Sequence, residues 1–93
     1  MTESYGVAAF RSRQQVLRFQ SALRRAGLVA EVIATPKDVA IGCGLSVQFE
    51  LSQQEQVMST YHRLGPSNLI GFYRVDRSGG STPKLTPLLL PTR

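Results

Sequence analysis

The sequence is poor in the residues that build metal and disulfide sites. A single cysteine, Cys43, and a single histidine, His62, occur among 93 residues, and tryptophan is absent. One cysteine cannot form an internal disulfide, and the pair is too small for a zinc site rich in cysteine or histidine. No run of about 18 apolar residues occurs either, so we expect a cytoplasmic protein with no membrane span, no cleavable signal and no metal.

Motifs of common enzymes are also missing. The chain has no P-loop, no Gly-x-Gly-x-x-Gly after a predicted strand and no paired-carboxylate pattern. His62 has no acid or nucleophile placed near it in the sequence, so we expect a surface side chain and not a catalytic base. These absences disfavour a self-contained enzyme, and we expect no cofactor.

The net charge of +5 is unevenly distributed. Residues 1–76 contain eight Lys or Arg against six acids, whereas residues 77–93 contain three basic residues and no acid. In and beside the first predicted helix, Arg11, Arg18 and Arg25 recur at a spacing of seven, which predicts one stripe on a helix. This stripe is a candidate partner-binding surface, and a solvated helix face is the alternative.

The hydrophobic pattern predicts strands and helices in the order βαββαβ. Alternation or short β-branched runs mark the strands, and capping-box patterns at Ser12 and Ser52 open the helices, which Gly27 and Gly65 end. The predicted strands are residues 4–10, 28–34, 45–51 and 69–75. This order favours an α+β fold of the ferredoxin-like kind, an antiparallel four-stranded sheet in the order 4-1-3-2 with both helices on one face.

The domain is expected to span residues 1–76. Residues 77–93 contain glycines, serines and three prolines without periodicity, which predicts a flexible C-terminal tail. Leucines near its end leave open that the tail docks on the domain or on a partner.

The connection between the second and third strands, residues 35–44, is longer than a hairpin needs. Thr35 suits a helix N-cap and Pro36 a first helical position, which predicts a short helical turn over residues 36–41. That turn would present Cys43 between Gly42 and Gly44, whose small size would let another molecule approach the sulfur.

Several motifs in this region resemble a known family. The runs Thr-Pro-Lys-Asp at 35–38 and Cys-Gly-Leu at 43–45, with Ala-Gly-Leu at 26–28 and Gly-Phe-Tyr-Arg at 71–74, resemble the selenium/sulfur carrier-like proteins over residues 5–75. The sequence departs from the family pattern with Ala40 in place of a serine and Ser-Arg-Gln at 12–14 in place of Ser-Thr-His. The resemblance implies that Cys43 carries sulfur or selenium as a persulfide or selenopersulfide.

A carrier implies protein partners and an activated thiol. The donor would be an enzyme such as a pyridoxal-phosphate-dependent cysteine desulfurase or a selenocysteine lyase, and an acceptor protein would follow. Lys37, with Arg74 as a second candidate, would stabilise the thiolate.

Other interpretations remain open. Cys43 is equally well a small buried residue of an interaction or ligand-sensing module. Nucleic acid is a disfavoured partner, because the expected open face of the third strand, Ser46, Gln48 and Glu50, cannot stack bases. A homodimer through an exposed sheet edge is possible on this pattern.

Overall fold

Five strands and two helices build the part of the chain that the structure describes. The computed structural model describes residues 4–35, 44–65, 69–77 and 84–88. The helices are α1 (Arg13–Arg25) and α2 (Gln54–Leu64), the latter preceded by a 3-10 turn at Leu51–Gln53. The strands are β1 (Ser4–Phe10), β2 (Ala30–Ala34), β3 (Leu45–Phe49), β4 (Leu69–Asp76) and β5 (Lys84–Leu88).

All five strands form one antiparallel sheet in the order β2-β3-β1-β4-β5. The first four strands follow the expected order 4-1-3-2, but the expectation of four strands is wrong. Lys84–Leu88, from the segment expected to be a flexible tail, pairs with β4 from Asp76 to Phe72. Pro87 is tolerated there because β5 is an edge strand, which pairs with a neighbour on one side only and so does not need every backbone N–H.

The core lies between one face of the sheet and the two helices. Alternate residues of the strands, among them Ala8, Val47 and Phe72, pack in one cluster with Phe19 of α1 and Val57 of α2. The Phe19 ring lies 5.4 Å from Phe10, 6.2 Å from Tyr61 and 6.3 Å from Phe72, measured between ring centroids. Both helices therefore cover the same face of the sheet, as the pattern predicted.

Three of the four expected helix ends are confirmed. The Gln15 amide donates to the Ser12 hydroxyl at 3.4 Å, and Gly27 and Gly65 take positive φ angles of 83° and 64° after the helices. The expected cap at Ser52 is wrong. Ser52 lies inside the 3-10 turn, in which the Gln53 amide donates to the Glu50 carbonyl. It therefore does not serve as the N-cap of α2.

The second face of the sheet carries no helix among the described residues. Tyr5, Val7 and Ala9 of β1 lie on this face. The prediction that Ser46 is exposed there is wrong, because its side chain is fully buried next to Ala9. Phe10, by contrast, points into the helix-covered core.

Candidate functional site

The cysteine lies in the loop between β2 and β3, and hydrogen bonds join the residues at the two ends of this loop. The Thr35 amide donates to the Gly44 carbonyl at 2.9 Å, which extends the β2–β3 ladder one step beyond Ala34 and Leu45. The Thr35 and Ser46 hydroxyl oxygens are also 2.8 Å apart, within hydrogen-bond distance. The two ends of residues 36–43 are therefore fixed against each other by one backbone and one side-chain hydrogen bond.

Gly44 requires the conformational freedom of glycine. Its φ angle is +90°, in the region that side chains disfavour, and the place where a Cβ would stand is open space. The chain thus turns sharply where it enters β3. Cys43 is bonded directly to this residue, but Cys43, Pro36, Lys37, Gly42 and the predicted turn over residues 36–41 lie outside the described residues.

Two positively charged groups, Arg11 and the N-terminus of α1, lie at the same end of the sheet as Gly44. In the antiparallel pairing of β1 with β3, Ala9 lies opposite Ser46. Arg11 follows the last residue of β1 and Gly44 precedes the first residue of β3, so both lie at the same end of the sheet. Arg11 is exposed, and among the described residues it has no acidic partner. The N-terminus of α1 begins two residues later with no acid in its first turn, so its partial positive charge faces this end.

The sequence pattern grouped Arg11 with the helix arginines and did not indicate its place after the end of β1. The helix begins only at Arg13, since Ser12 has an extended backbone at φ −113° and ψ 125°. Arg11 therefore lies outside the helical stripe. The signal that could have found it is the strand order itself, because antiparallel neighbours bring the end of β1 to the beginning of β3.

Arg74, the second candidate for stabilising the thiolate, lies at the opposite end of the sheet. It pairs with Gly6, which lies opposite Phe49, and Phe49 is five residues from Gly44. At about 3.3 Å per strand residue this separation is roughly 16 Å. The Arg74 guanidinium instead lies 3.2 Å from Asp76, whose pKa is held below its usual 3.8 mainly by a hydrogen bond from Ser4 and further by Arg74.

The remaining two arginines of the predicted stripe line a groove between the helices. Arg18 and Arg25 stand beside Leu17 and Leu64 around a volume of about 350 Å³. Leu64 is the last residue of α2 and is 42% exposed. His62 is exposed, and its ring lies 5.5 Å from the Tyr61 ring. Among the described residues, its contacts include no acid or nucleophile.

The described ranges contain no group of three or more His, Cys, Asp or Glu that could hold a metal ion. None of the helices in those ranges is long and apolar enough to cross a membrane.

These observations define an α+β domain with an antiparallel sheet and two helices on one face. Its sequence has a glycine-flanked cysteine between β2 and β3. The model of the family described as "Putative Se/S carrier protein-like" matches residues 5–65 of the chain. The match covers 61 of 93 residues and includes Cys43, and the chain belongs to this family. Searches of the curated proteins and of the solved structures each found no match.

Proposed function

We propose that the protein is a sulfur or selenium carrier that holds the transferred atom on Cys43. The family match over residues 5–65 carries this proposal, because it spans the cysteine and both strands that flank it. The scaffold in this proposal is a ferredoxin-like sheet with a fifth strand added at the β4 edge. The first four strands in the order β2-β3-β1-β4 support that assignment.

The chemistry is thiol–persulfide exchange. The Cys43 thiolate attacks the terminal sulfur of a donor persulfide, a new S–S bond forms, and the donor thiolate leaves with the electron pair of the broken bond. An acceptor thiolate then attacks the terminal sulfur on Cys43, and the Cys43 thiolate is released. No electrons are gained or lost overall, so the carrier needs no cofactor and turns over only with a donor and an acceptor. A selenopersulfide reacts in the same way.

A carrier needs a thiol that is held in place at one end and open to partners. The Thr35–Gly44 and Thr35–Ser46 hydrogen bonds support this, because they join the residues on either side of the cysteine segment and do not involve the segment itself. Gly44, at φ +90° with open space where a Cβ would stand, adds room beside the cysteine. Thr35 and Gly44 thus have positioning roles in the proposal, and Pro36, Lys37 and Gly42 keep the supporting roles expected from the sequence.

The thiolate also needs positive charge nearby, since an anion is the reactive form of cysteine. Arg11 and the N-terminus of α1 supply such charge at the end of the sheet where β3 begins. A helix N-terminus stabilises an anion by about 0.3–1 kcal/mol, and an exposed cation stabilises one by about 0.2–1 kcal/mol. Arg11 therefore joins Lys37 as a thiolate-stabilising group in this proposal, and Arg74 does not.

The direct test is transfer of a single atom. The full chain is incubated with glutathione persulfide, desalted and weighed by intact-mass spectrometry. We expect a gain of one sulfur on the wild type and none on Cys43→Ser, with the gain removed by a thiol acceptor. The same experiment with glutathione selenopersulfide compares sulfur with selenium. A wild-type chain that gains no more mass than Cys43→Ser, while both unfold at the same urea concentration, would leave the interaction-module interpretation in its place.

A further inference from the structure

A groove on the helix layer has no role in the carrier chemistry. We call it the Leu17–Leu64 groove. It has a volume of about 350 Å³ and is lined by Gln14, Leu17, Arg18, Ser21, Arg25 and Leu64. It therefore brings together the outer face of α1 and the last residue of α2.

The centre of the groove is apolar and open to water. Leu17 is 48% exposed and Leu64 is 42% exposed, and they are two of only three large hydrophobic residues with this exposure among the described residues. Leu17 lies outside the core cluster that α1 forms with Val16, Phe19 and Leu23. The two exposed leucines come from different helices and form a small apolar patch within one groove.

The rim of the groove is basic without compensation. Arg18 and Arg25 have no ion-pair partner among the described residues. No acidic residue occurs in residues 4–30, which contain all of α1, or in residues 57–65, which contain the part of α2 after Gln56. The two arginines are seven residues apart on one helix, which separates them by about 10 Å along the helix axis. Such a surface attracts a pair of carboxylates at a matching distance.

These features disfavour two other occupants of the groove. A second copy of the chain that used the same groove would place Arg18 and Arg25 against the same arginines, which is repulsive. A nucleic acid would satisfy the arginines but would leave both leucines against phosphate and sugar. We propose that the groove binds an acidic amphipathic segment of a partner protein, with an apolar side chain between Leu17 and Leu64 and carboxylates on the two arginines.

The test starts from an unbiased probe. Random 16-residue peptides displayed on phage are selected against the full chain at about 150 mM salt, and the enriched peptides are synthesised with a fluorescent label. We expect enriched peptides to share acidic residues around one or two large apolar ones. Replacing their Glu and Asp by Gln and Asn is expected to abolish measurable binding in fluorescence anisotropy, and binding is expected to weaken as salt rises.

Surface variants then locate the binding. We expect Leu17→Ala to weaken binding about five- to tenfold and Arg25→Gln about two- to fivefold. Arg24→Gln is the matched control, because it removes the same charge one residue away but does not line the groove. All three side chains are exposed, and equal urea midpoints verify the fold.

The outcomes separate this proposal from the carrier proposal. Peptide binding by Cys43→Ser is expected to equal that of the wild type whether or not Cys43 carries sulfur. The groove proposal is overturned if no peptide is enriched, if the enriched peptides lack acids, or if Leu17→Ala and Arg25→Gln bind as Arg24→Gln does. It is equally overturned if labelled polyuridylate binds through Arg25 at the same salt concentration while peptides do not.

Discussion

Replacing Gly6 with alanine is expected to destabilise the protein through the core. Gly6 of β1 lies directly opposite Phe49 of β3, and the Phe49 ring lies across the position where a Cβ would stand. Three ring atoms of Phe49 would clash with the added methyl group. Phe49 is 1% exposed and packs on Phe72 with ring centroids 6.0 Å apart, so a shift of the ring would disturb its neighbours in the core.

The expected magnitude follows from two opposing effects. An alanine in a strand lowers the entropy of the unfolded chain, which stabilises by about 0.4–1 kcal/mol where the backbone accepts it. Overpacking in a core costs about 1–3 kcal/mol, because a buried ring must leave its rotamer or push the strands apart. Three clashing ring atoms place the overpacking cost in the upper part of its range, about 2–3 kcal/mol, so we expect Gly6→Ala to lower the free energy of unfolding by about 1–2.6 kcal/mol in urea denaturation.

Gly71→Ala is the matched control in the neighbouring strand β4. The nearest atom to its added Cβ would be the Tyr73 hydroxyl oxygen at 3.0 Å, which is the far end of a side chain that can move. We expect a change below about 0.5 kcal/mol for this variant. Shortening the opposing ring in Gly6→Ala/Phe49→Leu is expected to cost less than the sum of the single changes. A Gly6→Ala protein as stable as the wild type, or less affected than Gly71→Ala, would refute the reasoning.

Two further predictions concern charge at the two ends of the sheet. Arg11→Gln is expected to raise the pH midpoint of Cys43 alkylation by roughly 0.1–0.7 units, because an exposed cation stabilises a nearby anion by about 0.2–1 kcal/mol. Arg24→Gln, at the far end of α1, is expected to leave that midpoint unchanged. The pKa of Asp76 is held below its usual 3.8 in the folded chain, mainly by the Ser4 hydroxyl, so its contribution to stability is present above about pH 4 and is lost as the pH falls through the lowered pKa. Ser4→Ala is expected to flatten this acid loss in urea unfolding between pH 5 and 2, and an unchanged slope would contradict that assignment.

Local patterns were enough to predict most of the sheet and the helices. Strict alternation in Leu45–Phe49 gave the correct face of β3, and Gly27 and Gly65 ended the helices because no other residue takes a positive φ so easily. The strand order followed from the sequence of elements and from the handedness of crossovers.

The missed features depend on contacts between distant residues. The sequence of β5 contains a proline and no alternation, and it forms a strand only because the edge of β4 offers a ladder to pair with. Ser46 is polar in a position that alternation assigns to solvent, yet it is buried and satisfied by Thr35. The Leu17–Leu64 groove joins two helices that are far apart in the chain, so periodicity within either helix could not reveal it.

For the proposed site, the sequence predicted the cysteine and its glycine neighbours, whereas the positions of Arg11 and Arg74 depend on the strand register. Arg11 was grouped with the helix arginines because they share a spacing of seven, and the N-cap at Ser12 breaks that stripe. Arg74 was a reasonable candidate in the sequence, and only the strand register places it two strands away from Gly44 and roughly 16 Å from it along the strand direction.

The central claim is that Cys43 is an accessible and activated thiol in the folded chain. The most direct measurement is the pH dependence of its alkylation by iodoacetamide, followed by intact mass in buffer and in denaturing urea. The account predicts complete alkylation of the folded protein with a midpoint below about pH 7.5, lower than the value of about 8.5 for free cysteine. A thiol that reacts only after unfolding, or that titrates near pH 9 in the folded chain, would contradict the carrier account.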